Sequence, residues 1–296
     1  MSSANPEQDH ECHLPDGRTI CYREYGERDG MAVLALHGTP GSRLKYRIAH
    51  DAAVANGLRL IAPDRWGYGR SDAHAAPTLK AYADDAQALM RSCGITRYGV
   101  VGISGGGPFA AAVAACHPGA VTALALVAPV GRVAEPEQCG VMGAFHRFCF
   151  RTLPHVPGAV RLAFLVLRAI ALTAPALSIR LATIRAGPAD QRLMAPYEKR
   201  LPLGLTFAEG LRYGASGPVV DLDIFARPWD VDPASIICPA RLWIGGQDRN
   251  VPIPAARKLA GTIPSCSTVA LADQGHFWIS GNFAVVLQWL AQASKA

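Results

Sequence analysis

The chain has 296 residues, half of them hydrophobic and 18% charged, with a formal net charge of +6. That length and apolar content suit one large domain, or one domain carrying an insertion, and exclude a largely disordered chain. The basic excess is not gathered into Lys/Arg blocks interleaved with aromatics, which excludes a nucleic-acid footprint. Eight cysteines without a C-x-x-C pair read as reduced thiols. The polar start, "MSSANPEQDHE", has no basic stretch followed by an apolar core. No export signal is read there, and the expected compartment is cytoplasmic.

In chain order, "RTICYREYG" (Arg18 to Gly26) alternates like a strand after the Asp16-Gly17 turn, a lead-in hairpin at one sheet edge. "MAVLALHG" (Met31 to Gly38), "LRLIAPD" (Leu58 to Asp64), "YGVVGI" (Tyr98 to Ile103), "VTALALVAP" (Val121 to Pro129) and "ARLWIGG" (Ala240 to Gly246) are continuous apolar runs. Such runs mark strands buried on both faces. Helical spacing falls between them, at 46–56, 79–93, 108–116, 254–260 and 283–293. The alternation predicts an α/β fold, a mostly parallel central sheet with helices on both faces, built from residues 1–130 and 233–296.

Between Gly131 and Asp232 the rhythm breaks into a Leu-, Ala-, Arg- and Pro-rich stretch. Residues 131–232 are expected to form short helices, a lid (cap) inserted between two sheet strands. Within it, "AVRLAFLVLRAIALTAPAL" (Ala159 to Leu177) has the apolar content of a membrane span. It carries Arg161 and Arg168 seven apart and is interrupted by Pro175. A packed amphipathic lid helix is therefore predicted, with no stable membrane insertion.

The chemistry gathers at "GISGGG", Gly102 to Gly107. One frame, Gly105 to Ala110, fits the dinucleotide fingerprint G-x-G-x-x-A. That motif needs an acid for the ribose about twenty residues on, and the first acid after the next strand is Glu135. The other frame, G-x-S-x-G, places Ser104 on a sharp strand-to-helix turn. Gly102 and Gly106 leave room for the crossing backbones, Gly105 offers an unhindered N–H, and Pro108 falls in the first helical turn. A serine nucleophile needs a base and a carboxylate behind it. Of nine histidines, His37 and His276 stand at strand ends, where active groups of an open α/β sheet collect. Asp248, just past the strand ending near Gly246, is the acid.

Together, "HGTPGSR" (His37 to Arg43), "PDRWGYGRSD" (Pro63 to Asp72), "GISGGG", "GGQDRNVP" (Gly245 to Pro252) and "GHF" (Gly275 to Phe277) resemble the α/β-hydrolase fold family. The resemblance covers residues 12–130 and 233–294. It implies a Ser104–Asp248–His276 triad, with His37 shaping a loop instead of serving as base. It also implies that the Thr39 and Gly105 backbone amides form the oxyanion hole. Ser104 stands where epoxide hydrolases and dehalogenases of the family carry an aspartate, which argues against those chemistries. Trp66 follows Asp64-Arg65 where relatives often have a small residue or proline; it lines the pocket entrance or packs in the core.

The expected activity is cleavage of a small ester or lactone through an acyl-enzyme, with no metal or organic cofactor required. Proline-iminopeptidase-like, carbon–carbon hydrolase and cofactor-free haloperoxidase chemistries use the same triad, and a small-molecule receptor would retain it. A peptidase would need lid acids such as Glu198 or Glu209 to hold a free amine. From Gln138 to Ala189 there are six arginines and no acid. They cover solvated helix faces, or Arg161 and Arg168 turn inward beside Phe277 to meet an anionic substrate.

Overall fold

A computed structural model describes residues 3–295, the side chain of Cys139 excepted. Eight strands form one sheet: β1 (Asp9–His13), β2 (Thr19–Gly26), β3 (Met31–Leu36), β4 (Leu58–Pro63), β5 (Tyr98–Ile103), β6 (Val121–Val127), β7 (Ala240–Gly245) and β8 (Cys266–Leu271). Their spatial order is β1-β2-β4-β3-β5-β6-β7-β8. The β1–β2 and β2–β4 pairs are antiparallel and every other pair is parallel.

The continuous apolar runs follow from burial on both faces. Leu34, Leu36 and Val100 point to one side, against the helices at Leu79–Ser92, Gly107–Cys116 and Ile253–Thr262. Val33, Ala35, Val101 and Ile103 point to the other, against His50–Ala55 and Phe283–Ala293. The edge strands β1 and β8 break that pattern because each pairs on one side only. In β8 only Cys266, Val269 and Leu271 are partly buried, which leaves a weak apolar signal.

Among the described residues, seven α-helices from Pro136 to Phe225 lie between β6 and β7. They share a small apolar core of Ala171, Ile179, Met194, Leu203 and Phe207, which Phe277 joins. The outward side of the Ala159–Thr173 helix carries Arg161 together with apolar residues, Leu162 being 65% exposed and Leu165, Val166 and Leu172 also exposed. Among the described residues no single helix is long and apolar enough to cross a membrane.

Parallel strands place the chain segments after β3, β5, β7 and β8 at one edge of the sheet, and the turn after β5 is the tightest. Ser104 has φ +54°, a left-handed conformation costly for any residue with a Cβ. The turn closes because Gly102 and Gly106 lack side chains. A Cβ on Gly106 would lie 2.5 Å from the Leu36 carbonyl oxygen and 2.6 Å from that of His37. Backbone cannot retreat as a flexible side chain can. Gly106→Ala should therefore cost about 3 kcal/mol, the upper range for overpacking. Gly119→Ala, where a Cβ meets nothing within 4 Å, should cost less than about 0.5 kcal/mol. Urea denaturation of the two variants checks the contrast, and equal losses would contradict it.

Candidate active site

The strained turn lifts the Ser104 hydroxyl off the end of β5, towards the loop after β8. His276 Nε2 lies 3.0 Å from Ser104 Oγ. The other ring nitrogen, Nδ1, lies 2.8 Å from Asp248 Oδ2. Asp248 is fully committed, because its Oδ1 accepts the backbone N–H groups of Asn250 and Val251 at 2.8 and 3.1 Å. That double acceptance holds the carboxylate in place behind the imidazole. Burial pulls the His276 pKa down, but the Asp248 carboxylate more than offsets it, so the ring titrates above the ordinary histidine value.

The loop after β3 runs beside the serine. A Cβ on Gly105 would collide with the Thr39 side chain and sit 3.2 Å from the Thr39 nitrogen, so Thr39 packs directly over this glycine. His37 is wholly buried, and burial pushes its pKa well below the ordinary value. Its Nε2 accepts the Arg65 N–H at 3.0 Å and its Nδ1 lies 2.8 Å from the Gly38 oxygen. A neutral ring donating from Nδ1 satisfies both contacts. His37 thus fixes the loop and faces away from the base's task. Arg43 ties the same loop to Asp64 at 2.6 Å, to Asp9 at 2.6 Å and to Glu209 at 2.8 Å.

Two buried carboxylates from the segment between β6 and β7 grip these loops, and sequence reasoning missed both. Asp190 accepts the backbone N–H groups of His276 and Phe277, each at 2.8 Å. Burial raises its pKa despite the two amides. Asp221 accepts from the Thr39 hydroxyl, from both terminal nitrogens of Arg65 and from the Tyr68 hydroxyl at 2.6 Å. The available signal was the return of acids at Asp190, after a stretch of 52 residues (138–189) with none.

Ser104 and His276 open onto a cavity of about 380 Å³. Its walls are mainly apolar, among them Phe145, Phe150, Phe164, Leu203, Phe207 and Phe225, with Phe277 beside the histidine. Phe277 thus stands at the cavity, whereas Trp66, Arg168 and Arg161 do not, and for these three the alternative of core packing or helix-surface placement holds. Trp66 is 3% exposed and away from the cavity, because its Nε1 donates to Asp85 at 2.8 Å and its ring stacks on His74. Arg168 donates to the Leu211 and Arg212 carbonyls, both at 2.9 Å, at the end of the Tyr197–Gly210 helix. Arg161 is exposed to solvent, on the outer side of its helix. None of the six arginines lines the cavity. Glu198 is exposed, and Glu209 is taken up by Arg43 and Arg212. Among the described residues no cluster of His, Cys, Asp or Glu is arranged to hold a metal ion.

Residues 32–281 match the family model described as the alpha/beta hydrolase fold. Among curated proteins, a non-heme chloroperoxidase of Streptomyces lividans is 37% identical over 117 residues, 39% of this chain and 42% of that protein. A proline iminopeptidase of Xylella fastidiosa is 37% identical over 118 residues, 38% of this chain and 37% of that protein. These alignments thus span less than half of either relative's length. Among solved structures, an alpha/beta hydrolase fold protein from Nakamurella multipartita superposes with a TM-score of 0.72 at 26% identity, covering 98% of this chain and all of that one.

The geometry around His276 makes two expectations. Asp248→Asn removes the charge that opposes burial, so the His276 pKa should fall below the ordinary histidine value of about 6.5, read by NMR titration of the ring. Asp190→Ala strands two buried amides and should lower unfolding stability by about 2–3 kcal/mol, read in urea. An unmoved pKa in the first, or an unmoved midpoint in the second, contradicts the role drawn for that carboxylate.

Proposed function

The chain belongs to the α/β hydrolase fold family, and on that premise we propose that it is a serine hydrolase cleaving a small carboxylic ester or lactone through an acyl-enzyme. The observation that carries this is the unbroken line from Asp248 through His276 to Ser104, at 2.8 and 3.0 Å, ending in a mainly apolar cavity. Ser104 Oγ attacks the substrate carbonyl as His276 Nε2 takes its proton. Asp248 keeps the ring oriented and stabilises the imidazolium. The Thr39 and Gly105 amides receive the oxyanion, each such donor lowering the barrier by about 3–4 kcal/mol. His276 then returns the proton to the leaving alcohol, and water, deprotonated by the same histidine, releases the acid.

Residues 131–232 act in this account as a lid over a core of residues 1–130 and 233–296. The lid is held to the catalytic loops by Asp190 and Asp221. The peptidase alternative is less well supported, because among the described residues no carboxylate lines the cavity to hold a free amine. Haloperoxidase and carbon–carbon bond chemistry share the triad, and no lining residue favours either over ester cleavage.

Ser104→Ala should lower kcat for a short 4-nitrophenyl ester by at least about three orders of magnitude while leaving the thermal midpoint close to wild type. Undiminished turnover would overturn the assignment. Because the base works only when neutral and its pKa is raised, kcat/KM should rise with pH, with its midpoint above about 6.5. A midpoint below that value contradicts the pairing of His276 with Asp248.

A further inference from the structure

The charge facing the cavity comes from the core. Lys45, two residues beyond Arg43, lines the cavity with Ser104 and His276 and is only 8% exposed. Lysines are almost never buried this far without a counter-ion. Yet among the described residues no carboxylate lies within ion-pair distance of Lys45, in contrast to its neighbour Arg43, which has three acidic partners. Its ammonium has one hydrogen bond, a long 3.3 Å contact to Ser280 Oγ, and stands 5.9 Å from the Phe283 ring centroid. Burial lowers its pKa to about 8, which leaves it mainly protonated at neutral pH. The cavity lining contains no Asp or Glu.

An ammonium buried at the wall of an apolar cavity with two unused donor positions is costly unless an anion completes it. We propose that Lys45 is the counter-ion for a carboxylate on the substrate, so that the preferred ester bears a free acid group. A monoanion fits the single cation better than a phosphate, which recruits several donors. This inference rests on the ester-hydrolase reading for its reaction, but the anion site itself stands on Lys45 alone.

The test compares monoethyl glutarate with ethyl pentanoate, two esters of equal acyl chain length that differ in the terminal carboxylate. Wild type should favour the glutarate ester in kcat/KM at least tenfold. Lys45→Met should lower that ratio at least tenfold, and Arg161→Met should leave it unchanged. Glutarate should also raise the thermal midpoint of the wild type and fail to raise that of Lys45→Met. No wild-type preference, or a ratio that survives in Lys45→Met, overturns the proposal. If neither ester is turned over, the hydrolase reading falls, and the glutarate stabilisation decides the anion site independently. Stabilisation equal in wild type and Lys45→Met overturns it there.

Discussion

Everything in the site hangs on the backbone of Ser104. A serine at φ +54° is strained by roughly 1–2 kcal/mol, and a turn left to itself would relax. It is over-determined here: β5 is paired on both sides, by β3 and β6, and the helix from Gly107 is packed into the core. The Val130 amide also donates to the Ser104 carbonyl at 3.0 Å. The strain buys exposure of one hydroxyl at the end of an otherwise buried strand. Gly102 and Gly106 are the condition for it, since either Cβ would collide with neighbouring backbone.

Around that fixed point, electrostatics are distributed between two layers. Asp248 and Arg43 come from the core; Asp190 and Asp221 come from the helices between β6 and β7. Each of the latter two grips a loop that carries a functional group, the His276 turn and the Thr39 turn. The helical segment is therefore joined through buried carboxylates to the loops that carry His276 and Thr39. The arginines of that segment act differently, by satisfying carbonyls such as Met142, Ala134 and Leu211. Among the described residues, Lys45 is the one lysine or arginine that lines the cavity.

How much of this was legible depends on whether a signal was local. The elbow at Gly102 to Gly106 is a spacing of small residues forced by backbone contact, and the central strands are apolar runs forced by two-sided burial. Both constraints act within a few residues, so the sequence displays them. Asp190 and Asp221 act on partners 86 and more residues away, two of them backbone amides of no particular residue type. No spacing can encode that. The helical period correctly places Arg161 and Arg168 on one helix but does not say which way that helix faces its neighbours. Trp66 is similar: its surroundings, Asp85, His74 and Tyr82, are assembled only by the fold. Lys45 is one basic residue among 29, and its isolation from acids is a property of three dimensions.

The central claim is that Ser104 is an activated nucleophile, and trapping it covalently tests that most directly. Intact-mass and peptide mass spectrometry after treatment with a fluorophosphonate should find one phosphonyl group per chain, carried by the peptide that contains Ser104. The label should be lost in His276→Ala, in which the base is missing. A wild-type chain left unmodified, or one modified only at another residue, would contradict the account.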